Sequence, residues 1–302
     1  AGHPFDGQIG LGETVRISTG AIMPDTADAV ILQEDVSCDD SIVTLTGDAP
    51  SPFHKHTRSR GMDFTEGAEI IAAGTLIGPA QLALAISAGH KQLSIRSAPR
   101  LLVIDSGDEL AADLETCGPN QIPASNGAML AAMARTMTPH VMRLGPVPDT
   151  LDDLLAVLNQ GQDADIIVTS GGASVGDHDL VKPALEAWGA SIGFWRVAIR
   201  PGKPILVATR EHDGRKQIVL GLPGNPVSSH VTGYLFMLPL LRAMSGAKHA
   251  LPVPFPAELQ TPLPANGGRQ SFVRATWDGV GVAAHPNQDS SALSALAASN
   301  VL

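Results

Sequence analysis

The chain has 302 residues, of which 44% are hydrophobic and 17% charged, a composition that predicts a folded, loop-rich protein of about two ordinary domains and excludes a disordered or fibrous chain. Its 20 basic and 30 acidic residues give a formal net charge of −10, which argues against nucleic acid as a partner because a phosphate backbone attracts positive charge. Cys38 and Cys117 are too few for a disulfide framework or a cysteine zinc site. The sequence shows neither a signal-peptide pattern nor an apolar run of roughly 18 residues, so we expect a cytoplasmic protein that does not enter membranes.

The first third of the chain is predicted to be rich in β-structure and then to change character. Residues 1–62 contain short alternating apolar runs, such as residues 14–18 and 42–45, broken by Gly, Pro and Asp. An Ala- and Leu-rich stretch at residues 81–86 predicts a helix that ends before Gly89. We therefore expect a β-rich domain over 1–62 and a connector, or part of another domain, over 63–98.

Residues 99–247 show the alternation of apolar runs and helical periodicity that is typical of an α/β domain with a mostly parallel sheet. The predicted buried strands lie at residues 101–104, 166–168, 205–208 and 218–220. Between the first two strands, methionines spaced by four and leucines spaced by three, four and seven each form the apolar stripe of a helix that packs on a sheet: Met129, Met133, Met137, Leu151, Leu154, Leu155 and Leu158. Thr150 and Asp153 form a capping-box-like start for the second of these helices.

The last helix of this domain is predicted to begin at Asn225 and Pro226 and to end near Gly246, with a kink at Pro239. Beyond it, a proline-rich stretch starting at Pro252 predicts a stiff extended linker. Residues 248–302 are therefore expected to be a linker and an incomplete C-terminal β-domain.

Three polar turns, each following a predicted strand, form the candidate binding site. They comprise residues 105–109, 170–177 and 221–226, and they contain Ser170, Gly171, Gly172, Ser174, Pro223, Gly224 and Asn225. Because the carboxyl ends of parallel strands meet at one sheet edge, we expect the turns to converge there. Glycines allow backbone N–H groups to approach a ligand, so the convergence predicts a phosphate or oxyanion site, although each turn taken alone is equally typical of a tight strand-to-helix connection.

Acidic residues share the same predicted edge and indicate a divalent cation. Asp108, Glu109, Asp177 and Asp179 would repel a phosphate unless a positive charge lay between them. Mg²⁺ prefers carboxylate and phosphate oxygens, so Asp108, Glu109 and Asp177 are the candidate metal ligands. The alternative for Asp108 or Asp179 is a helix cap or a solvated surface position.

Further positive charge comes from the segment at residues 195–204. Arg196 and Arg200 alternate along a predicted extended segment, so both guanidinium groups would face one side and clamp an oxyanion, with Lys203 in the following Pro-Gly-Lys-Pro turn. A solvated strand edge is the alternative. His54 and His56 lie among basic residues, which is more typical of a solvated loop than of a metal site.

Five motifs in order resemble the molybdopterin molybdenumtransferase family over nearly the whole chain. They are Ser-Thr-Gly-Ala-Ile-Met-Pro at 18–24, Ser-Gly-Asp-Glu-Leu at 106–110, Ser-Gly-Gly-Ala-Ser-Val-Gly-Asp at 170–177, Arg-Pro-Gly-Lys-Pro at 200–204 and Gly-Leu-Pro-Gly-Asn-Pro at 221–226. The resemblance implies Mg²⁺-dependent insertion of molybdate into adenylylated molybdopterin, with release of AMP. It also implies an elongated homodimer built from a β-domain, a split helical domain, a three-layer α/β domain and a C-terminal β-domain.

The resemblance further implies residue roles. Thr19 and Asp63 would come from the first half of the chain and face Glu109, Asp149, Asp177 and Asp179 across subunits, so that a monomer would be inactive. Arg196 and Arg200 stand where the family often has lysines, a change that keeps the charge but alters the hydrogen-bond geometry.

Two departures from the family pattern bear on activity. The family's N-terminal segment has no counterpart before Ala1, and the final β-domain stops at Leu302, which indicates a trimmed or partial chain with reduced activity. Asp105 and Ser106 also replace the usual Ser-Thr pair, which adds a carboxylate near the proposed phosphate site.

Two other functions compete with the transferase. A molybdopterin adenylyltransferase would share the α/β domain and its Gly-Gly turn but would lack the first β-domain; such an enzyme is also a possible partner of a transferase. A non-catalytic scaffold is the third hypothesis, since the relative gephyrin binds a receptor peptide, and the linker from Pro252 could support such contacts.

Overall fold

The computed structural model describes residues 2–171 and 180–302. The chain divides into two compact units, residues 1–70 and residues 71–302, each of which is described by itself. Across the described residues, no helix combines the length and the apolar character that crossing a membrane requires.

The first unit contains little regular structure. Its two strands, β1 (Val36–Asp39) and β2 (Ile42–Leu45), form an antiparallel hairpin that follows a short 3₁₀ turn at Gln33–Asp35. The carbonyl oxygen of Asp35 accepts hydrogen bonds from Thr46 N and Gly47 N, which closes the hairpin. The expectation of a strand over residues 14–18 was wrong: alternation is present there, but a strand needs a paired neighbour, and none of the described residues provides one.

The second unit opens with helix α1 (Pro79–Ser87), which confirms the helix predicted from the Ala and Leu run. Gly89 follows the end of this helix with a φ of +83°, a left-handed backbone conformation that is sterically strained for residues other than glycine. The remaining elements are β3 (Leu101–Ser106), β4 (Leu110–Ala111), β5 (Ile122–Pro123), α2 (Asn126–Arg135), β6 (Val141–Val147), α3 (Leu151–Gln160), β7 (Ile166–Ser170), α4 (Val181–Ala187), β8 (Ser191–Trp195), β9 (Ile199–Arg200), β10 (Leu206–His212) and β11 (Arg215–Leu222).

Six of these strands form one sheet in the order β6-β3-β7-β11-β10-β8. Strands β6, β3, β7 and β11 are mutually parallel, which confirms the mostly parallel α/β sheet. Strand β10 is antiparallel to both neighbours, so the expectation that residues 205–208 form a parallel strand was wrong. Asp213 and Gly214, both with positive φ, form a two-residue turn between β10 and β11, and Asp-Gly is a strong sequence signal for such a hairpin.

Helices cover both faces of the sheet, which gives the three predicted layers. On one face, Leu154, Val157 and Leu158 of α3 pack with α4 against strand residues such as Leu102 and Ile167. On the other face, Leu130, Ala131 and Ala134 of α2 pack against β3 and β7. The predicted cap at the start of α3 is confirmed in one half, because Asp153 N donates to Thr150 Oγ1 over 3.2 Å. The reciprocal half of a capping box is not formed: Asp153 Oδ2 accepts from Thr150 Oγ1 over 2.6 Å, and Thr150 N donates to the Pro148 carbonyl oxygen.

The last helix of this domain is continuous but irregular. It consists of α5 (Pro226–Thr232), a π-helical turn at Gly233–Met237 and α6 (Leu238–Met244), and Gly246 follows its end as predicted. The π turn ends two residues before Pro239, which lacks the N–H that a regular α-helix would use.

The C-terminal segment folds back onto the α/β domain. It contains β12 (Glu258–Leu259), β13 (Gln270–Ser271), β14 (Ala275–Trp277), β15 (Gly281–Ala284) and α7 (Leu293–Ala297). Strand β13 pairs with β9 in parallel, and Phe272 N donates to the Arg200 carbonyl oxygen over 2.8 Å. This pairing fixes residues 270–274 beside the Arg-Pro-Gly-Lys-Pro turn.

Candidate functional site

The turns that follow β3, β7 and β11 lie together at the carboxyl edge of the sheet. Gly171 N donates to the Leu222 carbonyl oxygen over 3.2 Å. A Cβ atom on Gly171 would lie 2.8 Å from the Ser106 carbonyl oxygen, and one on Gly224 would lie 3.7 Å from the Gly171 Cα. The predicted convergence is therefore observed for these residues, and glycine is what permits so close an approach.

Buried polar atoms without partners accumulate at this edge. Within the described ranges, no hydrogen-bond partner is found for Ser106 Oγ, Thr169 Oγ1, Ser170 Oγ or Asn126 Oδ1. Asn126 Nδ2 donates to the Gly224 carbonyl oxygen over 2.6 Å, which ties α2 to the third turn. Buried polar groups are normally satisfied, so these atoms indicate a place for a polar ligand or water. Gly172, Ser174, Asp177 and Asp179, all sequence candidates, lie outside the described residues.

The Asp105 side chain is buried between the start of α2 and Arg143 of β6. It is fully buried, and its Oδ1 accepts a hydrogen bond from Gly127 N over 2.7 Å at the start of α2. Its Oδ2 accepts from Arg143 Nε over 3.0 Å and pairs with Arg143 Nη2 over 2.9 Å. Burial raises the pKa of Asp105, while Arg143 and the Gly127 N–H oppose that rise. The unusual carboxylate is thus used to join three elements beneath the site.

An acidic cluster occupies the same rim. Asp149 N donates to Asp108 Oδ1 over 3.0 Å, and the Glu109 carboxylate folds back over Gly107, where a Cβ would lie 2.5 Å from its Oε2. Partial loss of hydration raises the pKa of Asp149, and the charges of Asp108 and Glu109 raise it further. The described part of the chain contains no group of three His, Cys, Asp or Glu side chains close enough to hold a metal by themselves.

A cavity of about 850 Å³ lies between the Arg-Pro-Gly-Lys-Pro turn and the C-terminal segment. Its described lining carries four cationic side chains and one carboxylate: Arg200, Lys203, Arg269, Arg274 and Asp289. Since the whole chain has a net charge of −10, this cavity is a local reversal of charge that favours an anion.

Arg274 is a fully buried residue of this cavity that sequence analysis missed. Its Nη2 donates to the carbonyl oxygens of Asn287 and Asp289 over 3.1 and 3.0 Å. Among the described residues, no partner is found for its Nε or Nη1. Burial lowers the pKa of Arg274, and the charge of Asp289 opposes that change. The available signal was an arginine within the otherwise apolar and uncharged run at residues 272–277.

The structure separates the two arginines that sequence analysis had paired. Arg200 and Lys203 line the cavity, whereas Arg196 is not among its described lining residues. Arg196 has a φ of +95°, so the segment is not regularly extended there, as the alternation argument had assumed, and the common face of the two arginines stays a prediction.

The predicted N-cap at Asn225 was also only partly correct. Asn225 begins α5 with extended backbone, but its side chain makes no cap hydrogen bond. Its Nδ2 donates instead to Ser290 Oγ over 2.8 Å, so it links the third turn to the C-terminal segment. Thr19 and Asp63 belong to the unit at residues 1–70, and both are exposed there.

The fold and the site together define a class of α/β protein in which glycine turns and a cationic cavity are arranged for anionic ligands. Three domain families match in order: the MoeA N-terminal region (domains I and II) at residues 1–89, a probable molybdopterin binding domain at residues 102–243 and the MoeA C-terminal region (domain IV) at residues 256–302. The chain belongs to the molybdopterin molybdenumtransferase family, which confirms the resemblance drawn from its motifs.

Curated relatives with that name include proteins from Nostoc sp. and Haemophilus influenzae. Each is 33% identical, over 87% and 91% of this chain, and the chain spans 60% and 67% of their respective lengths. Among solved structures, a molybdopterin biosynthesis moeA protein from Pyrococcus horikoshii superposes with a TM-score of 0.78 at 24% identity, covering 99% of this chain and 73% of that one. A second structure described in the same way has a TM-score of 0.73 at 26% identity.

Proposed function

We propose that this chain inserts molybdate into adenylylated molybdopterin with release of AMP, in the synthesis of molybdenum cofactor. The observation that carries the proposal is the cationic cavity around Arg274. Molybdate is a tetrahedral dianion. The Arg274 guanidinium, whose Nε and Nη1 have no hydrogen-bond partner among the described residues, suits such an anion, and Arg200 and Lys203 line the same cavity. The curated names of the relatives support the same reaction.

In this proposal the pterin substrate binds at the glycine turns. Its phosphate would accept hydrogen bonds from the backbone N–H of Gly224 and from the hydroxyl groups of Ser106 and Ser170, for which no partner is found among the described residues. The N–H of Gly171 already donates to the Leu222 carbonyl oxygen, so Gly171 would contribute room for the phosphate rather than a hydrogen bond. Gly172, Ser174, Pro223 and Asn225 complete the proposed substrate-binding set. Asn225 has a second role in this proposal, because its hydrogen bond to Ser290 connects the glycine turns to a residue that lines the anion cavity.

Mg²⁺ is the proposed cation of the acidic rim. Asp108 and Glu109 would hold it, with Asp177 as a third candidate ligand and Asp149 and Asp179 nearby as proposed catalytic acids. The raised pKa of Asp149 is consistent with this assignment: partial burial is its main cause, the charges of Asp108 and Glu109 add to it, and a bound cation would relieve that repulsion. Mg²⁺ commonly takes one or two protein carboxylates plus substrate phosphates, so a three-ligand protein cage is not required. Bound there, it would neutralise charge on the phosphate oxygens.

The proposal extends to assembly and location. Thr19 and Asp63 of one subunit would face the α/β domain of the other in a homodimer. A molybdopterin adenylyltransferase would supply the adenylylated substrate as a partner, and both proteins would act in the cytoplasm.

Molybdate binding provides the first test. Titration calorimetry of the purified chain should detect molybdate binding, and Arg274→Met should weaken it at least about tenfold, since removing a charged hydrogen-bond donor costs roughly 1.5–3 kcal/mol. Arg135→Met, in the exposed last turn of α2, is the matched control and should bind normally. Equal affinity in wild type and Arg274→Met would remove the cavity from the mechanism.

Mg²⁺-dependent release of AMP from adenylylated molybdopterin provides the second test. Glu109→Ala and Asp177→Ala should slow it without unfolding the protein, because Glu109 is an exposed turn residue and the sequence motif predicts a turn for Asp177, which lies outside the described residues. Full turnover in both variants would contradict the metal assignment. Conversion of ATP to adenylylated product without molybdate would establish the adenylyltransferase alternative.

A further inference from the structure

The turn at residues 285–291 holds Arg274 in place. Both bonds from Arg274 Nη2 go to backbone carbonyl oxygens of this turn, those of Asn287 and Asp289. Residues 285–290 have no helical or strand structure. Their carbonyl groups therefore keep their positions only if other interactions fix the turn.

Gln288 supplies those interactions directly to Arg274. Its Oε1 accepts a hydrogen bond from Arg274 N over 3.0 Å, and its Nε2 donates to the Arg274 carbonyl oxygen over 2.8 Å. The side-chain amide thus pairs with the Arg274 backbone as a neighbouring strand would. The second Nε2 proton goes to the His285 carbonyl oxygen over 2.7 Å, which closes the turn on itself.

The other end of the turn is anchored to α5. Val227 N donates to the Ser290 carbonyl oxygen over 3.0 Å, and Asn225 Nδ2 donates to Ser290 Oγ. The bonds at Ser290 therefore hold the 285–291 turn against α5 and the third glycine turn. Gln288 is the side chain of the 285–291 turn that hydrogen-bonds to the Arg274 backbone and so holds Arg274 against it.

We infer that Gln288 is a positioning residue for oxyanion recognition by Arg274. Both of its amide protons are used within the protein, so it acts on the anion through the guanidinium rather than by contact. The inference rests on the proposed function for the identity of the anion, whereas the positioning itself is a property of the chain without ligand.

The test uses Gln288→Met, which keeps the length of the side chain and removes all three hydrogen bonds. Gln260→Met is the matched control, because Gln260 donates to Asp278 Oδ2 in the same C-terminal segment and does not line the cavity. We expect the molybdate dissociation constant to rise roughly 10- to 100-fold in Gln288→Met, the range found when residues that orient a binding group are removed, and to stay unchanged in Gln260→Met. In an Arg274→Met background, Gln288→Met should have no further effect.

A second readout needs no ligand. The ¹⁵N resonance of the Arg274 Nε–H group, assigned by its loss in Arg274→Met, should be narrow in wild type and broadened in Gln288→Met. An unchanged resonance would overturn the inference. It would also be overturned if Gln288→Met lowered molybdate affinity equally in the wild-type and Arg274→Met backgrounds, because the substitution would then disturb the cavity without acting through Arg274. Absence of molybdate binding to wild type would refute the proposed function, and the resonance would then decide the role of Gln288. If Gln288→Met fails to fold, Gln288→Glu, which keeps the acceptor but loses both donated bonds, carries the same expectations.

Discussion

Replacement of Asp105 by Ala should destabilise the unit at residues 71–302 by about 3 kcal/mol. The change removes a fully buried carboxylate that accepts from Gly127 N and from two nitrogen atoms of Arg143. Breaking a buried ion pair costs roughly 3–5 kcal/mol. The lower end applies because the Arg143 side chain is 33% exposed and keeps its bond to the Ala124 carbonyl oxygen, so it can recover hydration.

Urea denaturation followed by circular dichroism measures this loss as a lower midpoint at constant slope. For a unit of this size, about 3 kcal/mol corresponds to a fall in Tm of roughly 6–12 °C. Asp163→Ala is the control, since Asp163 pairs with Arg100 and Arg215 but is 86% exposed, and it should cost less than about 1 kcal/mol.

The stability difference between wild type and Asp105→Ala should also depend on pH in a definite direction. Because burial raises the pKa of Asp105 above 3.8, the folded protein binds this proton more tightly than the unfolded chain does. The part of the stability that is linked to protonation of Asp105 is fully present below 3.8 and is lost as pH rises through the higher folded pKa. The loss of about 3 kcal/mol refers to neutral pH, where the ionised carboxylate still holds Arg143 and Gly127 N, and the advantage of wild type over Asp105→Ala should grow from that value on acidification. A loss below about 1 kcal/mol, or an advantage that shrinks on acidification, would refute the reasoning.

Three further predictions concern the rim, the anion cavity and a helix start. Asp149→Asn should raise the unfolding midpoint slightly at neutral pH, because burial, together with the charges of Asp108 and Glu109, raises the pKa of Asp149 and its ionised form therefore opposes folding. This gain should vanish as pH falls towards 3.8, and an unchanged midpoint at neutral pH would contradict the raised pKa. Gly202→Ala should displace Lys203 and weaken molybdate binding, because φ is +94° at this position and a Cβ would lie 2.5 Å from Thr232 Cγ2. Gly214→Ala is the control: its φ is also positive but nothing lies within 4 Å of a Cβ, so it should cost only backbone strain of about 1–2 kcal/mol and bind molybdate normally. Thr150→Ala should cost about 1 kcal/mol in urea denaturation through loss of the cap at α3, and no loss would show that the cap is redundant.

Local patterns predicted much of the α/β domain. The apolar runs at residues 101–104 and 166–168 are central strands, and the predicted stripe of α3 faces the core except at Leu151, which is exposed at the start of the helix. Strand direction was harder to predict, because burial on both faces makes a central antiparallel strand such as β10 as apolar as its parallel neighbours. Only the Asp213-Gly214 turn distinguished it.

The candidate site divides in the same way. The glycine turns were predictable, since each directly follows a strand and parallel strands share an edge. The roles of Arg274 and Gln288 could not be predicted. Arg274 is brought to the cavity by the pairing of β13 with β9, and Gln288 is held there by hydrogen bonds to Arg274, which is 14 residues away in the sequence. A single positive φ at Arg196 also interrupts the extended segment that the alternation argument had assumed.

The sequence by itself determined the periodicities, the caps and the five ordered motifs that indicated the family, because these depend on neighbouring residues and on short spacings. The tertiary structure decided which charges meet: it turned Asp105 inward to Arg143, moved Arg196 out of the cavity lining and brought Arg274 into it. Contacts between distant segments depend on strand pairing and packing over the whole unit, and no local pattern of residues specifies them.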